Sequence, residues 1–496
     1  MVKITVSRSV QLVLAATALC AAALIPGCAV NPATGQRNFV LMSEDSEIAL
    51  GRQSHQQIID QFGVYQDPEL QRYVQAIGEE LGKRSHRPDL VYRFTVLDSD
   101  QINAFALPGG YIYITRGIMA YLNSEAELAA VLGHEIGHVT ARHSVQQISA
   151  QQAAGAGLVL GSIFLPELRG QNVQNIYNLL SNALLRGYGR EHELEADGLG
   201  AEYLARGGYA PSAMIDVIGV LKDQEVFDKD LAKREGREPR AYHGLFATHP
   251  KNDTRLQEVV GKANALAAGG TGSVNRDTYL AKIEGMTFGD SEAQGVRRSS
   301  NFYHANLGFA LSFPNGWRLD NQPTSIIARA PQDEAVIQVV VEDINKRISA
   351  QEFIKTRLKV DNLRNGSALS SHGLEGYTGF TRGRTPFGQR DIRLSVVYLD
   401  DKAYIFFATT KEDGAVGAFD QAFLNTVKSF HRLEPDERPL AKALKIHIVE
   451  AKAGDNYARL AKDSRIPNYA EAQLRLINDQ YPSGEPQAGQ HIKIVD

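Results

Sequence analysis

The run His134-Glu135-Ile136-Gly137-His138 constrains this chain more than any other feature, because its side chains can cooperate in only one backbone conformation. A capping box at Ser124-x-x-Glu127, followed by Leu128, Val131 and Leu132, predicts that the run lies inside a helix. At about 100° per residue, positions four apart differ by roughly 40° and one turn of rise, so both imidazoles project from one face toward one metal ion. Glu135 lies beside them, where its carboxylate can take a proton from a water molecule. With 13 histidines in the chain, a chance H-E-x-x-H is expected only on the order of a few hundredths of a time. The plain alternative is a helix with two hydrogen-bonded histidines and a surface glutamate, and it gives no reason for the spacing.

Two imidazoles leave a catalytic zinc site one protein ligand short. A metzincin continuation needs Gly at 141 and His at 144, whereas this chain has Ala141 and Ser144. His143 is nine residues past His134 and falls about 180° around a continued helix, so it is expected to face away. Downstream, Glu191-His192-Glu193-Leu194-Glu195-Ala196-Asp197 offers Glu193 as a ligand, with Asp197 on the same helical face four residues later. Asp197 then suits an acceptor for a ligand imidazole, and it is also a candidate for proton transfer. A solvated acidic helix face fits the same spacing.

Five stretches carry a resemblance: CAVNPATGQRNFVLMSEDSEIALG from Cys28, NAFALPGGYIYITRGIM from Asn103, HEIGHVTARHS, REHELEADGLG, and Thr248-His249-Pro250. In this order, over roughly residues 28–256, they resemble the HtpX/BepA-type gluzincin zinc metalloproteases, the family that also contains the CAAX prenyl protease. The resemblance implies that Glu193 is the third zinc ligand and that Asp197 is the family's second carboxylate. It also places Asn103, Ala104 and Phe105 on an edge strand bordering the cleft, where unpaired N–H and C=O groups bind an extended substrate. One departure is visible: the family commonly has Ser-Arg before the acidic motif, and here it is Gly189-Arg190. Pro250 biases His249 toward a loop. From there its imidazole can fill the fourth zinc position at rest, or donate to an oxyanion when displaced; a His that only ties its loop to the core is the alternative.

Residues 1–27 are predicted to be a lipoprotein signal peptide. Lys3 and Arg8 precede a mostly apolar run over residues 12–25. That run makes a helix of roughly 21 Å, short of the roughly 30 Å hydrocarbon core, which disfavours a membrane span. Leu24-Ile25-Pro26-Gly27-Cys28 resembles a bacterial lipobox, which implies lipidation of Cys28, and Ala29 in place of Asp implies the outer membrane. Residues 29–42 are expected to form an extended leader. The two cysteines are Cys20 and Cys28, so no disulfide framework or cysteine metal site lies downstream. A formal charge of −4 argues against a nucleic-acid partner.

At 496 residues the chain is predicted to be multidomain. Residues 28–290 read as a mainly α, zincin-like metalloprotease domain with a small edge-strand sheet. The apolar, glycine-rich residues 153–165 form a lid or plug, or else plain core. After a polar boundary at residues 289–300, residues 302–433 read as an α+β accessory domain. Strand runs are expected at 309–313, 335–341, 392–399 and 403–409, a helix from the capping box Ser349-x-x-Glu352, and a closing helix bearing Phe419, Phe423, Val427 and Phe430. The stretch LGFALSFPNGWR resembles PsbP-like domains, and Trp317 within it is expected in the core. Beyond the linker at 433–440, residues 441–496 are predicted as strand, helix, helix, strand and resemble a LysM-like module, which implies either peptidoglycan binding or a structural cap.

Motif and resemblance together imply a lipid-anchored zinc endopeptidase at the periplasmic face of the outer membrane. It holds one zinc ion on His134, His138 and Glu193 and degrades misfolded or stalled envelope proteins. Two other classes fit parts of the chain: an envelope chaperone or assembly factor with a silenced metal site, and a peptidoglycan-binding scaffold. Glu135 discriminates, since a structural metal site has no use for a general base.

Overall fold

Ser43, Asp67, Thr115 and Ser124 each take a backbone N–H on the side chain and so open four helices of the N-terminal half, α1 (Glu44–Phe62), α2 (Pro68–Lys83), α3 (Arg116–Tyr121) and α4 (Glu125–Thr140). The computed structural model describes residues 28–154, 188–235, 265–266 and 272–496. Residues 1–27, read above as a signal peptide, most of the apolar segment at 153–165, and His249 with its neighbours lie outside the described residues.

The described part begins with a hairpin, β1 (Cys28–Val30) paired antiparallel with β2 (Arg37–Phe39). Its turn is closed by Asn31, whose Oδ1 accepts from the backbone N–H groups of Ala33 and Thr34 at 2.9 and 3.3 Å. Leu41 N–H then donates to Ser149 Oγ at 3.0 Å on α5 (His143–Ala154). Residues 29–42 are therefore not the extended leader expected from the sequence. Asn31 is buried because the hairpin docks on the helices of the metal centre.

Between α2 and α3 lies a three-stranded sheet in the order β3 (Arg93–Leu97), β5 (Tyr111–Thr115), β4 (Ala104–Leu107), with β3 parallel and β4 antiparallel to the middle strand. The β4–β5 turn uses Gly109 at φ 77° and Gly110 at φ 85°. A Cβ on Gly109 would sit 2.6 Å from Ile48 Cα, so the turn can press against α1. Helices α6 (Arg190–Gly207), α7 (Ala213–Glu235) and α8 (Arg276–Ile283) complete this part.

The accessory region begins earlier than residue 302. The polar stretch near 289–300 contains β7 (Val296–Arg298), which joins β8 (Asn301–His304), β9 (Phe309–Ser312) and β17 (His431–Arg432) in a four-stranded sheet. Arg297 fastens this stretch to the N-terminal half through Asp100 and braces it internally through Asp290. The main sheet is antiparallel, in the order β10 (Arg318–Gln322), β11 (Ser325–Arg329), β12 (Ala335–Asp343), β16 (Lys402–Thr410), β15 (Gly388–Leu399), β14 (Leu374–Thr385), β13 (Arg364–Ser371). Alternation along β16 puts Tyr404, Phe406 and Ala408 against α10 (Val416–Ser429), and Ala403 and Ile405 against α9 (Ala350–Thr356). Trp317 packs near Phe419 and Phe423.

Residues 441–496 run as β18 (Leu444–Glu450), α11 (Tyr457–Asp463), α12 (Ala470–Ile477) and β19 (His491–Val495). They do not stand apart as a third unit. β18 pairs with both β19 and β6 (Thr287–Phe288). Ile446, Tyr457, Leu474, Ile477 and Ile492 share one apolar core with Leu128, Leu132 and Tyr279 of the N-terminal half. The chain thus returns to finish the core that it began. Among the described residues, no helix is long and apolar enough to cross a membrane.

Candidate metal centre

The centre is built by two helices that approach unusually closely. Gly133 and Gly137 on α4 face Gly200 and Ala196 on α6: a Cβ on Gly137 would lie 2.9 Å from Ala196 O, and one on Gly200 would lie 3.0 Å from His134 N. Missing side chains let the two backbones come together, and this contact sets Glu193 and Asp197 opposite the histidines. At the start of α4, Ser124 Oγ accepts from Glu127 N–H at 3.1 Å, while Glu127 Oε2 reaches back to Asn123 N–H at 2.8 Å. The capping pair therefore holds two donors, one of them a residue before the cap.

His134 Nε2 and His138 Nε2 are 3.0 Å apart. Glu193 Oε2 is 3.7 Å from the first and its Oε1 is 3.8 Å from the second. These spacings suit a tetrahedral zinc site, whose ligand atoms at about 2.0–2.1 Å from the ion stand roughly 3.3 Å from one another. Two imidazole nitrogens and a carboxylate aimed at one buried point form a donor set that a dication satisfies. His134, Glu135, His138, Glu193 and Asp197 are all buried. The only group of three or more such ligands found among the described residues is His134, His138 and Glu193. Asp197 Oδ1 is 2.9 Å from His134 Nδ1.

Residues 68–263 match the model of Peptidase family M48. The matched stretch includes His134, Glu135, His138, Glu193 and Asp197, so the similarity to M48 peptidases covers the whole centre. The beta-barrel assembly-enhancing protease of Yersinia pestis is 30% identical over 266 residues, covering 52% of this chain and 52% of that protein. The protein of the same name from Escherichia coli is 29% identical over 247 residues, covering 49% and 48%. The mitochondrial metalloendopeptidase OMA1 of Schizosaccharomyces pombe is 27% identical over 231 residues, covering 46% and 64%. The chain spans about half the length of the first two relatives.

Within the matched residues, the strand expected at 103–107 is β4, and it lies at an edge of its sheet. Ala104 and Phe105 are buried, with the Phe105 ring 4.9 Å from that of Tyr113, so they contribute backbone rather than side chain. Asn103 Oδ1 is buried and has no hydrogen-bond partner among the described residues. An apolar pocket opens beside His134 and Glu135, lined by Val131 of α4 and by Met214, Val217, Ile218 and Leu221 of α7.

His143 does not face away. α4 ends at Thr140, Arg142 adopts φ 59°, and the chain reverses so that His143 Nδ1 lies 2.8 Å from His138 Nδ1. The unusual Arg142 backbone is held from outside, its Nε donating to Glu47 Oε2 at 2.8 Å and its Nη2 to Met42 O at 3.0 Å. His143 Nε2 is 3.2 Å from Glu195 Oε2, and Asn31 Nδ2 donates to Glu195 Oε1 at 3.0 Å. Tyr188 stacks on His138 at 4.1 Å and shares a 2.6 Å hydrogen bond with Ser144. His192 stacks on His143 at 4.2 Å; burial above all pushes its pKa down to about 4. Helical extrapolation missed His143 because no Gly or Asn marks the turn at Arg142. Asn31 lies in the CAVNPATG stretch and Glu195 in the acidic run, but neither position by itself points to the other or to His143.

Proposed function

We propose that this chain is a zinc-dependent endopeptidase of the bacterial cell envelope. It is held at the periplasmic face of the outer membrane by lipid on Cys28 and acts on unfolded or misassembled envelope proteins. The observation that carries this reading is the buried convergence of His134, His138 and Glu193 with Glu135 beside them. Zinc, when bound, supplies Lewis acidity toward a peptide carbonyl and an attacking water. Glu135 takes the proton of that water and returns it to the leaving amine. Edge strand β4 and Asn103 bind the substrate backbone. Asp197 orients His134, and His249 is proposed as an exchangeable fourth ligand or an oxyanion donor.

The envelope setting draws on the names of the relatives, which are beta-barrel assembly-enhancing proteases, together with the lipobox-like run before Cys28. We assign a zincin-like fold to residues 28–290, a PsbP-like fold to 302–433 and a LysM-like fold to 441–496. The shared core of the last region favours a structural cap over peptidoglycan binding.

The test is digestion of casein and of an unfolded outer-membrane protein, with and without chelator, by wild type and Glu135→Gln. The variant should retain zinc and lose proteolysis, because a base is removed and no ligand is. Undiminished cleavage by the purified variant would end the assignment.

A further inference from the structure

The two ligand histidines are backed differently. His134 Nδ1 meets the Asp197 carboxylate directly at 2.9 Å. His138 Nδ1 meets another imidazole, that of His143, at 2.8 Å. A histidine that gives its Nε2 lone pair to a metal keeps its proton on Nδ1 and must donate it. His143 Nδ1 is then the acceptor, which places the His143 proton on Nε2, and that atom faces Glu195 Oε2 at 3.2 Å. The other Glu195 oxygen accepts from Asn31 Nδ2 at 3.0 Å. Each donor in this relay has one acceptor, and the order of donors is fixed from the metal outward.

We infer that His143, Glu195 and Asn31 are positioning residues for His138, and that the N-terminal hairpin thereby completes the metal centre. The inference rests on the zinc endopeptidase reading and adds to it a contribution from residues immediately after the lipidation site. Burial supports it: His143 and Asn31 are 0% and 3% exposed, so water competes little for these bonds. Stacking of His143 on His192 and of His138 on Tyr188 restricts both rings to the planes in which the bonds form. Asn31 has two separable jobs. Its Oδ1 closes the hairpin turn on Ala33 and Thr34, and its Nδ2 serves Glu195.

That separation supplies the experiment. Asn31→Asp keeps an oxygen for the turn but sets a second carboxylate against Glu195. Glu195→Gln keeps size but presents only one oxygen to two donors. The double variant exchanges the roles: the amide introduced at position 195 donates to the carboxylate introduced at position 31, and its oxygen still accepts from His143. Zinc affinity of the full mature chain is measured by chelator competition, and thermal unfolding of the metal-free protein is measured in parallel. Each single variant should lose about 10-fold in zinc affinity, the lower end of the usual range for such partners, and the double variant should recover most of it. Single variants with wild-type affinity, or a double variant as weak as the product of the two losses, overturn the inference and leave the endopeptidase reading standing. A wild-type chain that binds no zinc overturns both.

Discussion

Asp197 Oδ1 lies 2.9 Å from His134 Nδ1, one helical turn after Glu193 on α6, so a single helix furnishes both a ligand and the acceptor that orients another ligand. With Nε2 given to the ion, the His134 proton sits on Nδ1 and faces this carboxylate. Asp197→Ala should lower zinc affinity about 10–100-fold. Asp197→Asn, which keeps one oxygen in place, should lose less. Zinc retained after dialysis against a graded chelator series measures both, and wild-type retention in Asp197→Ala would remove Asp197 from the site.

The close approach of α4 and α6 predicts opposite responses at two glycines. On Gly137 a methyl group meets Ala196 O at 2.9 Å and Ala196 Cα at 3.1 Å, both backbone atoms that cannot swing aside. Gly137→Ala should push the helices apart, cost about 1–3 kcal/mol of stability and weaken zinc binding. Gly189, the N-cap of α6, has φ −64° and ψ 158° and makes no side-chain cap, and among the described residues no atom lies within 4 Å of where a Cβ would sit. Gly189→Ser should therefore gain a few tenths of a kcal/mol by capping the helix. Thermal unfolding of the pair decides, and equal midpoints would show that helix spacing does not limit this site.

Much of the centre was legible because its chemistry is local. H-E-x-x-H and the later Glu193–Asp197 pair are spacings within single helices, and helix geometry turns spacing into direction. β5, β12, β15 and β16 were legible for a similar reason, as runs of β-branched and aromatic residues. β13 was not: Arg364–Ser371 is largely exposed and carries Asn365, Gly366 and four serines or alanines in place of an apolar alternation. Its strand character comes from pairing with β14. His143 and Asn31 were hidden because each depends on long-range packing. One needs a backbone reversal held by Glu47 on α1, and the other needs a hairpin docked beside α6.

The folded hairpin sharpens a prediction about anchoring. Cys28 begins β1 and pairs with Phe39, so the lipid proposed on Cys28 would be tied to the body of the protein by a short, structured connection. Cys28→Ser should shift the chain from the membrane to the soluble fraction with thermal stability unchanged. A variant that still sediments wholly with outer membranes would assign anchoring to another part of the chain.

Lys493 gives the last prediction, because it joins the end of the chain to the start of α4. The side chain is fully buried, and its Nζ donates to Ala120 O at 2.8 Å and Leu122 O at 2.7 Å. Burial pushes its pKa down, while the charge of Glu127 works against that. Glu127 is moved the other way, from the usual 4.5 up to about 7, chiefly by burial, with Asn123 N–H and then Lys493 pulling it back. Lys493→Met fills the space but leaves two carbonyls without their donor and Glu127 without its cation, at an expected cost of about 3 kcal/mol. Without that cation, the folded-state pKa of Glu127 rises further. A carboxyl with a raised folded pKa contributes stability that is complete below its unfolded value and lost as pH rises through the folded one. The deficit of Lys493→Met should accordingly be smaller at pH 5 than at pH 8, and proteolytic activity should fall with the unfolding of the N-terminal half. A variant whose melting matches wild type at both pH values would show that residues 441–496 do not hold up the metal centre.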